Sequence, residues 1–268
     1  MAGFAGINVD HADGIAHIVL SRPEAGNALD LATSYGLRDA VAHVSELPDL
    51  QAVVLRGEGK RFCVGGDLTG FKQAAPGANL CYDVAVPLHE AILALGELPV
   101  PVIARVHGAV GGGGVGLVLA ADIAVAAEST VFRLGYTGSG LSPDCGVTWD
   151  LPHRIGMAKA MDLLLTNRRV SAAEASALGI VSRVVADDDL QAEVDMVIQA
   201  LRAVPRQTLA ETKRLARSAQ FRSRAEQLED EAVTIGRIGD TADTREAISA
   251  FLEKRPPVFG TAPAEAAR

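Results

Sequence analysis

The stretch Val106-His107-Gly108-Ala109-Val110-Gly111-Gly112-Gly113-Gly114-Val115-Gly116-Leu117 sets a run of glycines between an apolar strand and an apolar helix. Glycines at that junction let backbone N–H groups point outward from a helix N-terminus, where the helix dipole favours negative charge. A phosphate and a developing oxyanion both fit. Gly111, Gly113 and Gly116 formally match the dinucleotide fingerprint, but the run falls in mid-chain without a convincing acidic residue on a following strand end. Tight helix packing by glycine alone is the third reading.

Outward from the run, residues 102–106 and 123–126 read as short buried strands. A helix carrying Leu88, Ile92 and Leu95 precedes them and stops at Pro99 and Pro101. Residues 7–9 and 15–20 flank an Asp13-Gly14 turn and predict a hairpin. Asp30 is placed to cap a helix bearing Leu37, Val41 and Val44, and Val53-Val54-Leu55 is the next strand. Residues 157–165 predict a helix, and Ser171 with Glu174 gives a capping signature for a helix ending at Gly179, before a strand over 181–185. This alternation defines an α/β core over residues 1–195. Beyond Asp187-Asp188-Asp189 the apolar period is helical, with candidates at 190–201, 208–219, 225–238 and 244–252. Residues 196–260 are therefore expected to form a helical oligomerisation region, and 261–268 a disordered tail.

Of the 268 residues, 25 are Lys or Arg and 33 are Asp or Glu, a net charge of −8. Such a field repels nucleic acid and anionic membrane surfaces, so a polyanionic ligand needs a local basic patch. Aromatics make up only 4%, which leaves close packing to small and aliphatic side chains. Cys63, Cys81 and Cys145 are few and odd in number, which argues against a disulfide framework and for a cytoplasmic location. No signal segment or membrane anchor is expected, since residues 109–121 are too short and glycine-rich to span a bilayer.

A second glycine-rich turn, Arg61-Phe62-Cys63-Val64-Gly65-Gly66-Asp67-Leu68, also leads from a strand toward a helix. Phe62 to Asp67, Pro101 to Gly108 and Gly112-Gly113-Gly114 stand in the order of the crotonase superfamily, the enoyl-CoA hydratase/isomerase family, which the sequence resembles. Arg22-Pro23 with Asn27-Ala28-Leu29, Leu141 to Gly146, Ser171 to Gly179 and Phe251 to Pro256 extend the resemblance. It implies a spiral of ββα units with a C-terminal trimerisation region, a homotrimer or dimer of trimers, and an acyl-CoA thioester as substrate. Coenzyme A enters as part of that substrate, and neither a separate cofactor nor a metal is expected.

Carried over by position, the oxyanion donors are the backbone N–H groups of Val64 and Gly113, which suit a thioester oxygen gaining enolate character. The family's hydratases hold water between two glutamates, and here those positions are Gly116 and Tyr136. Neither does a carboxylate's work at neutral pH, so hydration is disfavoured. Asp144, in the Ser142-Pro143-Asp144-Cys145-Gly146 turn, is the remaining acid and in related isomerases shuttles a proton. Aryl-CoA dehalogenases resemble this chain in a histidine at His89 and an aromatic at Tyr136, which keeps substitution or thioester hydrolysis open as the alternative. A non-catalytic acyl-CoA binder is the rival outside enzymology. Cys145 reads as inert and His107 as structural. Arg22, Ala25, Val64, Gly65, Asp67, Leu68, Gly112 and Gly113 are the expected CoA and thioester contacts. Lys254 and Phe259 are expected to serve a neighbouring subunit's CoA, or, for Lys254, merely to sit at a helix C-terminus.

Overall fold

The computed structural model describes residues 1–259, so the expected disordered tail lies outside the described residues. Two compact units divide the chain, Met1–Met196 and a second from Val197 onward. In chain order the first carries β1 (Ala2–Phe4), β2 (Ile7–Ala12), β3 (Ile15–Leu20), α1 (Leu31–Ser45), β4 (Ala52–Gly57), α2 (Leu68–Gln73), α3 (Leu80–Glu97), β5 (Val102–Val106), β6 (Ala109–Gly111) and α4 (Gly113–Ala120). β7 (Ile123–Ala127), β8 (Val131–Arg133), α5 (Val147–Ile155), α6 (Met157–Thr166), β9 (Val170–Ser171), α7 (Ala172–Leu178) and β10 (Arg183–Val185) follow. α8 (Leu190–Arg202) spans the division, and α9 (Arg206–Ser218), α10 (Arg224–Gly239) and α11 (Ala242–Glu253) belong to the second unit.

A seven-stranded sheet runs β1-β2-β3-β4-β5-β7-β10, antiparallel through β3 and parallel after it. The β2–β3 hairpin turns on Asp13 and Gly14, both left-handed, a backbone twist that matches the strands it joins. β4 and β5 are apolar on both faces because helices cover a parallel sheet. Asp30 accepts Thr33 N–H at 2.8 Å and starts α1, whose Leu37, Ala40, Val41 and Val44 face the core. A second, three-stranded sheet, β6-β8-β9, grows from the glycine run and is tied to the other glycine-rich turn by a Cys63–Val110 bridge.

Pro87 lies inside α3, where burial of Val84, Pro87, Leu88, Ala91 and Leu95 outweighs one lost backbone hydrogen bond. One boundary differs from the sequence reading. β10 starts at Arg183, since Ile180 and Val181 N–H groups still donate back to Ala175 at the end of α7.

Asn27 is 2% exposed, left-handed, and donates through Nδ2 to the carbonyls of Glu58, Arg61 and Phe62 at 2.9, 2.8 and 3.1 Å, while its Oδ1 accepts Arg22 N–H. It clasps the loop that presents the second glycine turn. Asn27→Ala is expected to cost about 4 kcal/mol, from stranded buried carbonyls and an unfavourable backbone region, read as a lower denaturation midpoint at unchanged slope. Burial lowers the pKa of His17 and His107 below the ordinary imidazole value. The unfolded chain then binds their protons first, so stability is expected to fall as pH drops through and below 6.5, measured by melting between pH 8 and 5.

In the second unit α9 packs against α10, with Arg214 paired to Glu211 at 2.7 Å and to Asp230 at 2.6 Å. Ser223 and Glu226 form a reciprocal capping box at the start of α10. Lys254 is the left-handed cap of α11, and Arg255 pairs with Glu246 and Glu253.

Candidate active site

The turn from Phe62 to Asp67 is stitched on both sides. Phe62 N–H donates to His107 O and Gly111 N–H to Cys63 O, both at 2.9 Å; Leu29 N–H donates to Gly65 O at 2.8 Å, and Asp67 N–H to Leu29 O at 3.0 Å. Fully buried Phe62 anchors the turn in the core. Gly65 has φ +94, and a Cβ there would lie 2.9 Å from Gly111 O, so only glycine lets the two glycine segments touch. Between them and the wall of α3 opens a cavity of about 390 Å³.

Val64, Gly65, Leu68, Gly112, Gly113, Tyr136 and Asp144 all line this cavity. Gly113 is the first residue of α4, and its N–H meets no hydrogen-bond acceptor among the described residues, as the N-terminal position of a helix requires. Val64 departs from expectation. Its N–H donates to Gly26 O at 3.1 Å, the Gly65 N–H bonds the Cys63 thiol, and Val64 presents an exposed side chain. Burial pushes the Cys63 thiol up to about 12.

Asp144 is half-buried just before α5, and its carbonyl accepts the Tyr136 hydroxyl at 3.3 Å. Cys145 is left-handed at φ 53, and its N–H donates to His89 Nε2 at 3.1 Å. That bond fixes a strained turn and with it the carboxylate of Asp144. His89, Asp144 and Cys145 bring a ring nitrogen, a carboxylate oxygen and a thiol within 4.8 Å of one another. The donor types suit a soft cation, but the imidazole lone pair is engaged and burial beside Asp144 holds the thiol far above its usual pKa. The trio is thus a hydrogen-bonded cluster, and Cys145 is a neutral thiol. Nothing in the sequence marks a partner for Cys145; the fold brings His89 to its N–H. Burial above all, with the neighbouring Asp144 carboxylate, raises the Tyr136 pKa, so Tyr136 is a hydrogen-bond donor and not a base.

Gly116 packs so closely on the Asp144-Cys145 turn that a Cβ would stand 2.3 Å from Cys145 O. A carboxylate cannot be restored there. Gly116→Glu is expected to yield misfolded or insoluble protein, and Gly116→Ala to lose about 3 kcal/mol in a denaturation series, while no hydration activity is gained by either.

Among the CoA candidates, Arg22 is neutralised within the chain. Its guanidinium pairs with Asp30 at 2.8 Å, lies 3.7 Å from Asp67 and donates to Ala28 O, so it braces the loop rather than offering charge to a phosphate. Ala25 ends a one-turn helix beside Gly26, and Asp67 caps α2 by accepting from Thr69 and Gly70 N–H. Arg61, which sequence reasoning passed over, lies against Gly26 and belongs to the same rim as Val64. Lys254 and Phe259 lie in the second unit. His107 Nε2 bonds Gly59 O at 2.9 Å.

The family model for enoyl-CoA hydratase/isomerase matches residues 10–262. A probable enoyl-CoA hydratase of Rhodobacter capsulatus is 37% identical over 94% of this chain and 97% of its own. The 1,2-epoxyphenylacetyl-CoA isomerase of Escherichia coli is 34% identical over 92% and 95%. The crystal structure of an enoyl-CoA hydratase from Polaromonas superposes with a TM-score of 0.89 at 33% identity, covering 94% of this chain and 98% of that one. The α/β fold is therefore the crotonase fold. The chain belongs to the enoyl-CoA hydratase/isomerase family, as the motif order implied.

Proposed function

We propose that this enzyme isomerises an enoyl-CoA, moving a double bond or opening a ring through an enolate, with Asp144 as the single proton carrier. One observation carries the reading: among the described residues lining the cavity, Asp144 is the only carboxylate. Hydration needs one group to activate water and a proton source for the α-carbon, whereas a 1,3-shift uses one base that takes and returns a proton. Gly113 N–H, at the start of a buried helix, is the donor for the enolate oxygen, worth several kcal/mol in a water-poor site. Acid–base chemistry and backbone donation need no group beyond the thioester itself, so we assign no further cofactor. Tyr136 orients the Asp144 turn through its hydroxyl.

The closeness of His89 to Asp144 supports a second reading, in which Asp144 is a nucleophile and His89 directs water, as in aryl-CoA substitution or thioester hydrolysis. Its engaged Nε2 counts against it. A panel of enoyl-, dienoyl- and aryl-CoA thioesters followed by mass spectrometry separates the readings. Isomerisation gives a product of unchanged mass and altered chromatographic retention, while hydration adds water and hydrolysis frees CoA. No conversion of any thioester would leave a non-catalytic binder.

Exposed Ile235, Ile248, Phe251 and Leu252 in the second unit support self-association as a trimer or dimer of trimers, testable by light scattering. No helix among the described residues is long and apolar enough to cross a membrane; the three free cysteines support a reducing compartment, and we place the enzyme in the cytoplasm.

A further inference from the structure

We propose that Arg133 binds a carboxylate carried by the acyl group, so that the preferred substrate is a dicarboxylic acid mono-thioester rather than a plain fatty acyl-CoA. The inference rests on the reading of the cavity as the acyl-CoA site. Its walls are apolar and aromatic, with Leu29, Phe71, Tyr82 and Leu88 among them, and Arg133 is the one Lys, Arg or His side chain among the described residues that line it.

Arg133 is held in place as a binding group is. Its carbonyl accepts Gly112 N–H at 3.1 Å and its Nε donates to Asn167 O at 3.0 Å. Asn167, itself buried, also accepts Gly135 N–H at 2.7 Å, so one residue fixes both the guanidinium and the segment leading to Tyr136. The Nη groups make no ion pair with any described residue, whereas Arg22, Arg168, Arg214 and Arg255 are all paired with acids. An arginine with its Nε anchored and its outer edge open presents two N–H groups in the geometry of a carboxylate.

The position favours the acyl end over the CoA end. β6 lies between the Cys63 bridge on one side and β8 on the other, with Arg133 paired to Gly111. Neighbouring strands stand about 4.8 Å apart, which puts the Arg133 backbone about 10 Å from the turn of Val64. Arg61 and the Gly26 loop, the rim assigned to CoA, lie on the Val64 side. Arg133 lies on the other, three residues before Tyr136.

The test compares dissociation constants by calorimetry for saturated thioesters, which cannot be isomerised: butyryl- against succinyl-CoA and hexanoyl- against adipoyl-CoA, with free CoA as a third ligand. At one of the two lengths the carboxylated partner is expected to bind at least about tenfold tighter, the scale of a hydrogen bond to a charged group. Arg133→Gln should bring that ratio to one or below, and Arg133→Lys should keep part of it. Equal affinities at both lengths, or a preference that survives Arg133→Gln, would overturn the assignment while leaving the acyl-CoA reading intact. Weakening of free CoA and both thioesters by a common factor would overturn it in favour of a phosphate contact. Failure of every thioester to bind would remove the acyl-CoA reading and this one with it.

Discussion

Replacement of Asp144 by Asn is expected to lower deuterium exchange at the α- and γ-carbons of an enoyl-CoA by about three orders of magnitude, within the range that a positioned general base contributes. The carboxamide is nearly isosteric and cannot take a proton at neutral pH. Backbone contacts hold the turn, with Tyr136 and Val147 bonding the Asp144 carbonyl and His89 the Cys145 N–H, and the Asn Oδ1 can still accept from the Tyr136 hydroxyl and the Cys145 thiol that bond the carboxylate. Asn therefore leaves the turn in place. Thioester affinity should change only a few-fold, because the proposed oxyanion donor is a main-chain group. A large loss of affinity would mean that the carboxylate binds rather than reacts, and an unchanged exchange rate would remove Asp144 from the chemistry.

Gly113→Pro should reduce turnover by about two to three orders of magnitude, as for other single oxyanion donors. Proline is accepted at the first position of a helix, so loss of the N–H need not break α4. Steric effects need separate control, since a Cβ at this position meets Cys145 Sγ at 3.0 Å and Leu29 Cδ1 at 3.2 Å. Gly113→Ala makes the same contacts and keeps the donor. The proline variant should thus fall well below the alanine variant at matched melting temperature. Equal rates for the two would show that space, not the hydrogen bond, governs the effect.

Much of this arrangement was legible in the sequence because it depends on local chemistry. Asp30, Asp13-Gly14 and Ser171 announce a cap, a hairpin turn and a helix start through side chains that act within a few residues. The two glycine turns identified the pocket through motif order, and Asp144 stood out as the acid left when Gly116 and Tyr136 were set aside. Long-range partnerships were not legible. Val64 N–H is taken by Gly26 and Arg22 by Asp30, contacts that only the folded loop creates. Gly116 reads as a missing glutamate in sequence, yet the reason is the Cys145 carbonyl pressed against it. β6, β8 and β9 escaped notice because strands of two or three residues have no period to detect. Arg133 carries no motif; its interest comes from what surrounds it.

In the proposed reaction one carboxylate moves one proton and water is not added. Wild-type enzyme incubated with crotonyl-CoA and a longer enoyl-CoA in deuterium oxide, with mass spectrometry and enoyl absorbance followed together, tests it most directly. Deuterium is expected to enter the recovered thioester, with enoyl absorbance of crotonyl-CoA retained and no species heavier by one water. Rapid loss of that absorbance with accumulation of the hydrated thioester would contradict it.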